Sequence, residues 1–236
     1  MQEFLQWFMV EGKTYIRYFL LLPFLIGLLR IRHLSKAQRW LWGLILLGMG
    51  TEICSVLFYR MGWLANNLPF FHLYTLGEGL LLLAVMQAAV PTLMPRRLYQ
   101  GIMLGYSLLT GISLLFFQGP MEVNSLIRTI EAILMILLAL WFFRFTLQHL
   151  QVEALGKSFP FWIAITLLLY FSANLLLFIY SSAILGDSWE SEGELQIFRS
   201  VWSLYSLMNL LMYLLYSIAL LCKDPLPSSK SSWSAP

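Results

Sequence analysis

Residues 160–184 read PFWIAITLLLYFSANLLLFIYSSAI, an apolar run without one charged side chain. Wound as an α-helix, a run of this length is longer than the ~30 Å hydrocarbon core of a bilayer. Lipid offers no partner for backbone N–H and C=O groups, and the run lacks the alternation of a barrel strand, so it is predicted to be a transmembrane helix. Six more segments meet the same test, at about 12–31, 40–60, 69–90, 98–117, 126–146 and 199–222. Pro69 and Pro160 stand at helix starts, where a missing N–H does no harm. The expected fold is all-α, a polytopic membrane bundle of seven transmembrane helices within residues 1–222, followed by a disordered Ser/Pro-rich cytoplasmic tail at 223–236.

Composition agrees with lipid as the solvent. Of 236 residues 59% are hydrophobic and 11% charged, and mean hydropathy is +0.74, whereas a soluble domain carries about 25% charged residues. A net charge of +3 is too small to point to nucleic acid as a partner. Cys54 and Cys222 fall at opposite depths of the expected topology, so no disulfide framework follows. The N-terminal residues include Glu3 and Glu11, lack a basic stretch and are followed by no small-residue cleavage site, so the first apolar run is expected to be retained. Residues 4–10, FLQWFMV, read as an interfacial stretch, and the Trp residues near helix ends, including Trp7, Trp40, Trp63 and Trp202, read as an interfacial belt.

Lys and Arg in short loops set the orientation, because they resist translocation while acidic residues count for little. Arg30, Arg32, Lys36 and Arg39, then Arg96 and Arg97, then Arg144 and Lys157, then Lys223 and Lys230 fall on one side. That side is expected to be the cytoplasm, which gives an N-out, C-in protein of the bacterial inner membrane. The opposite side holds Lys13, the helix-end residues Arg17, Arg60, Arg128 and Arg199, and a last loop with Asp187, Glu190, Glu192 and Glu194.

Two segments share a pattern. Residues 73–80, LYTLGEGL, match 204–211, LYSLMNLL, as L-Y-[TS]-L-x-[EN]-x-L, and 14–17, TYIR, parallels 125–128, SLIR. The second and sixth segments correspond only loosely, through Glu52 and Tyr59 against Asn174 and Tyr180. Three helices, a linker helix and three more would form a 3+1+3 parallel repeat.

Ionisable residues inside a membrane usually face the bundle interior and find a partner. Here they gather in the expected outer half. Only 12 residues separate Arg17 from Arg30, so Arg17 must lie below the outer interface if the first segment is to span. Gly48, Glu52, Ser55 and Tyr59 form one helical stripe, and 66–78, NNLPFFHLYTLGE, is the densest run of chemistry in the chain. Gly77 and Gly79 flank Glu78 and would let a helix or a ligand approach its carboxylate. Gly101 and Gly105 form a GxxxG in a helix without charge, read as a packing or dimer element.

Two readings follow. The polar groups either satisfy one another, with Arg17, Arg60 and Arg128 paired to Glu52, Glu78 and Glu131, or line an outward-facing pocket for a small polar or anionic ligand. The pocket would be built from Arg17, Glu52, Tyr59, Asn67, His72, Tyr74, Glu78, Arg128, Glu131, Asn174, Tyr205 and Asn209. His72 reads more readily as a hydrogen-bonded structural residue than as a catalyst, although its ring could serve as a pH switch.

No catalytic residue, metal or cofactor is expected. All five lysines (Lys13, Lys36, Lys157, Lys223, Lys230) lie in loops, tails or helix edges, which excludes a retinal Schiff base. His33 and His149 are expected in the cytoplasm, which leaves too few ligands for zinc. No GxSG nucleophile, phosphate loop or dinucleotide fingerprint stands in a suitable context.

The run N-N-L-P-F-F-H-L-Y-x-x-x-E at 66–78 resembles one found in small seven-helix membrane proteins of bacteria, a resemblance that extends over the second and third segments and implies no activity. The 3+1+3 layout is similar to that of SWEET-type sugar transporters, but their helix prolines are not matched: the first segment has Pro23 and the fifth has none. The expected function is that of a receptor or sensor that binds its ligand outside and signals to a cytoplasmic partner, or acts as a homodimer. The alternatives are a SWEET-like transporter and an outward-facing enzyme acting on a lipid or isoprenoid.

Overall fold

The computed structural model describes residues 13–62, 68–149, 155–186 and 192–222, and for residues 13, 14, 17, 59, 149, 180–186 and 192–202 it describes the helix path alone. The interfacial stretch 4–10, Trp63, Asn66, Asn67, the loop acids Asp187 and Glu190, the tail, and the side chains of Arg17, Tyr59, Arg199 and Trp202 lie outside that description.

A single turn, Lys13–Ile16, and a 3-10 turn, Arg17–Leu20, lead into α1, Leu21–Leu29. The remaining helices are α2 (Lys36–Arg60), α3 (Leu68–Ala89), α4 (Arg96–Phe116), α5 (Ser125–His149), α6 (Phe159–Gly186) and α7 (Glu192–Leu221). Among the described residues there is no strand, and six helices, α2 to α7, are long and apolar enough to cross a membrane. The chain is therefore a multi-pass membrane protein. The first segment differs from the continuous helix expected over 12–31: the apolar helical stretch Tyr18–Leu29 is shorter than a span. Pro23 supplies a reason, since it has no N–H to donate to the turn before it, and that turn is the one wound as 3-10.

Side chains close several helix ends. Ser35 caps α2 in a capping box, its Oγ accepting from the Gln38 N–H at 3.2 Å while Gln38 Oε1 accepts from the Ser35 N–H at 3.0 Å. The Gln38 amide also donates to the Cys222 carbonyl at 3.0 Å, and Arg30 donates to the Leu220 carbonyl, so one residue at the end of α1 and one in the first turn of α2 satisfy carbonyls at the end of α7. Burial pushes the Cys222 thiol above its ordinary pKa, with nearby Arg30 pulling the other way.

The most extensive packing joins α2 to α3, α5 to α6 and α6 to α7. α1 rests on α7 and α2, α3 also meets α5 and α6, and α2 meets α7. α4 stands to one side, packed chiefly against α3 and α5. The half of the bundle containing the C-terminal ends of α3 and α5 is apolar and closely packed, with Leu41, Ile45, Leu82, Met86, Met135 and Ile163 wholly buried. Leu29, Leu115, Phe116 and Leu147 are more than two-thirds exposed, a distribution suited to acyl chains and not to water. Between helices in lipid, close fit replaces the hydrophobic effect as the cohesive force. Gly27 illustrates the fit: the Trp42 indole fills the space where its Cβ would stand, stacks on Phe24 and donates to the Phe24 carbonyl at 3.2 Å.

Candidate functional site

The opposite half of the bundle holds an ion triad. Arg128 and Glu131 are three residues apart on α5, so both project from one face toward α3. Arg128 Nη1 donates to Glu78 Oε2 and, at 2.9 Å, to Glu131 Oε2. Glu78 is 1% exposed, Glu131 is 0% exposed and Arg128 is 8% exposed, so the three charges are removed from solvent together. One turn before Glu78 along α3, the Tyr74 hydroxyl donates to Glu78 Oε1 at 2.9 Å. The guanidinium carbon lies 4.8 Å from the Phe178 ring centroid and 5.8 Å from that of Tyr74, within cation–π range of both.

The glycines beside Glu78 are filled by neighbouring helices. A Cβ at Gly77 would run into Leu47 of α2, and one at Gly79 would run into the Tyr106 ring of α4. Tyr106 donates to the Thr75 carbonyl at 2.9 Å, and Asn124, just before α5, donates to Thr75 Oγ1 at 2.6 Å. These contacts hold α3 against α4 and the start of α5, which brings Glu78 within reach of Arg128. On the other side of the triad, the Tyr170 hydroxyl of α6 lies 3.4 Å from Asn209 Oδ1 and 3.5 Å from the Tyr205 hydroxyl, both long for an O–H···O bond. Tyr74, Tyr205, Asn209 and Tyr213 are half-buried, in contrast to the buried triad.

Of the residues expected to line a pocket, Tyr74, Glu78, Arg128 and Glu131 meet directly, and Tyr205 and Asn209 stand beside them through Tyr170. Asn174 is buried and donates to the Tyr170 carbonyl at 2.8 Å, one turn back on its own helix. His72 stands at the margin, donating from Nε2 to the Glu122 carbonyl at 2.9 Å in the α4–α5 connection. Glu52 is exposed and outside the triad, within electrostatic reach of Tyr213 on α7. Arg60 is exposed as well. Among the described residues the ion pairs are those of Arg128 with Glu78 and Glu131; Arg60 and Glu52 form none there, and the side chain of Arg17 lies outside the description.

Sequence reasoning missed Tyr106 and Phe178. The signal for Tyr106 was a stripe: Tyr99, Tyr106, Thr110 and Ser113 recur at helical spacing and make the buried face of an otherwise apolar α4. Phe178, one turn beyond Asn174, carried no such mark.

The triad has two carboxyl groups and one guanidinium, so its arginine is fully taken up by its own glutamates. No group of three or more His, Cys, Asp and Glu suited to a metal occurs among the described residues. No family model, curated protein or solved structure matches this chain.

Proposed function

We propose that this multi-pass membrane protein is a receptor or sensor-like module that binds a small, neutral, polar molecule beside the Arg128 triad and passes the change to a cytoplasmic partner. The observation that carries the reading is the gradient of burial across one cluster. Glu78, Glu131 and Arg128 form a nearly dry floor, while Tyr74, Tyr205, Asn209 and Tyr213 remain half-buried above it. Long contacts from Tyr170 to Asn209 and Tyr205 leave room for a ligand hydroxyl or amide to form better hydrogen bonds. Because two carboxyl groups already occupy Arg128, the one buried arginine among the described residues, an anionic ligand would find no free cation there. That consideration favours neutral ligands such as polyols or amides. The closely packed apolar half below favours a site closed toward the cytoplasm.

The test is a thermal-shift screen of neutral polar compounds on the purified protein, with hits repeated on Asn209→Ala and Tyr170→Phe. A compound that raises the melting temperature of the parent chain and not of these variants supports the reading. A screen in which no neutral polar compound shifts the parent, or in which every hit shifts the variants equally, removes it.

The packing scheme favours a second reading, a transporter built on a parallel repeat. Exchanging α1 with α5, α2 with α6 and α3 with α7 turns the neighbour pair α2–α7 into α6–α3, α1–α2 into α5–α6, and α3–α5 into α7–α1, and each of these pairs packs together. α4 alone has no counterpart, as a linker between repeats would not. Uptake of a screened ligand into proteoliposomes, lost in Asn209→Ala, would establish transport over sensing.

A further inference from the structure

Glu131 is wholly buried, yet its Oε1 has no hydrogen-bond partner among the described residues. Its other oxygen shares Arg128 Nη1 with Glu78. Glu78, by contrast, uses both oxygens, accepting from Arg128 through Oε2 and from Tyr74 through Oε1. A bare carboxylate oxygen in a dry site loses its hydration with nothing in return, and two carboxylates on one guanidinium nitrogen repel each other. The groups that face the pair from the packed elements supply no second positive charge. They are Tyr74 on α3, Tyr106 on α4, Tyr170 on α6 and Tyr205, Tyr213 and Tyr216 on α7, phenols and not cations, and the Tyr106 hydroxyl is committed to the Thr75 carbonyl.

We propose that Glu131 is a proton-binding site: its carboxyl carries a proton on Oε1 while Glu78 remains ionised against Arg128, so that the triad is electrically neutral. The asymmetry of the two carboxyls makes the assignment. Glu78 has two donors, as an ionised carboxylate needs, and Glu131 has one donor and one vacant lone-pair position where a proton fits. Admission of water to the cluster would let Glu131 pass its proton to a water molecule, leaving one net negative charge beside Arg128. Any rearrangement that wets the site is thereby linked to proton release. The inference concerns the same cluster as the proposed ligand site but requires no ligand.

The experiment uses the full chain, purified at neutral pH with no compound added, as the parent, Glu131→Gln and Glu78→Gln. The expected infrared spectrum of the parent contains the C=O stretch of a protonated carboxylic acid, absent from Glu131→Gln; in Glu78→Gln, Glu131 is the sole carboxyl partner of Arg128 and is expected to ionise, so the band is lost there too and the melting temperatures separate the two variants. Glutamine is a neutral near-isostere of the protonated acid, so Glu131→Gln is expected to melt close to the parent. Glu78→Gln removes the ionised partner of Arg128 and is expected to melt several degrees lower. A parent spectrum without the band, a band that survives in Glu131→Gln, or a Glu131→Gln protein that melts as low as Glu78→Gln or fails to fold overturns the assignment. Since no ligand is present, these outcomes are independent of the ligand screen.

Discussion

Gly79 has no room for a side chain beside the ion triad, because the Tyr106 ring occupies the space that one would need. Gly79→Ala must push that ring away and break the bond from Tyr106 to the Thr75 carbonyl. The expected cost is about 1–3 kcal/mol, the range for overpacking a close-packed interior, seen as a lower melting temperature in detergent. Gly101→Ala, at a position on α4 with nothing within 4 Å of a new Cβ, is the control and is expected to melt at or slightly above the parent. At this scale part of the site was legible. Glu78 between two glycines marks a carboxylate approached closely by something, and Arg128 with Glu131 at helical spacing marks a shared face. The identity of what approaches, Leu47 on one side and Tyr106 on the other, was not legible, since a leucine and a tyrosine on distant helices carry no sign of each other.

Helix ends were read less well than helix middles. The apolar middles of α2 to α7 are where hydropathy placed them, because transfer of about 20 residues into lipid depends on their sum and not on their neighbours. The ends extend past the apolar runs, as in α2, which begins at Lys36 where the Ser35–Gln38 capping box sets it. Ser35→Ala removes that cap and is expected to cost about 1 kcal/mol. Gln38→Ala goes further, because the same amide holds the Cys222 carbonyl at the end of α7. Release of that end should expose the half-buried Cys222 thiol, now held above its ordinary pKa by burial, so maleimide labelling of Cys222 is expected to be faster in Gln38→Ala than in the parent. An unchanged labelling rate would show that Gln38 does not hold the helix end. The break before α1 was also missed as a length, although Pro23 was visible, since a proline lowers the chance of a regular turn without setting where the helix recovers.

Across the whole molecule, the run of basic residues on one side predicts a cytoplasmic C-terminus. A fluorescent protein fused after Pro236 is expected to fluoresce, and a phosphatase that needs export is expected to be inactive at the same point; the reverse pattern would invert the topology. The sequence by itself determined that this chain is a bundle of membrane helices with few ionisable residues inside the apolar segments. Those properties are sums over local segments: hydropathy, length and charge count. Only the tertiary structure decided that α4 stands aside while contributing Tyr106, that Glu52 stays out of the triad, and that one arginine serves two glutamates. Helices of similar hydropathy have no preferred partner until their side chains meet, and in lipid that choice is made by close fit and by hydrogen bonds between residues far apart in the chain.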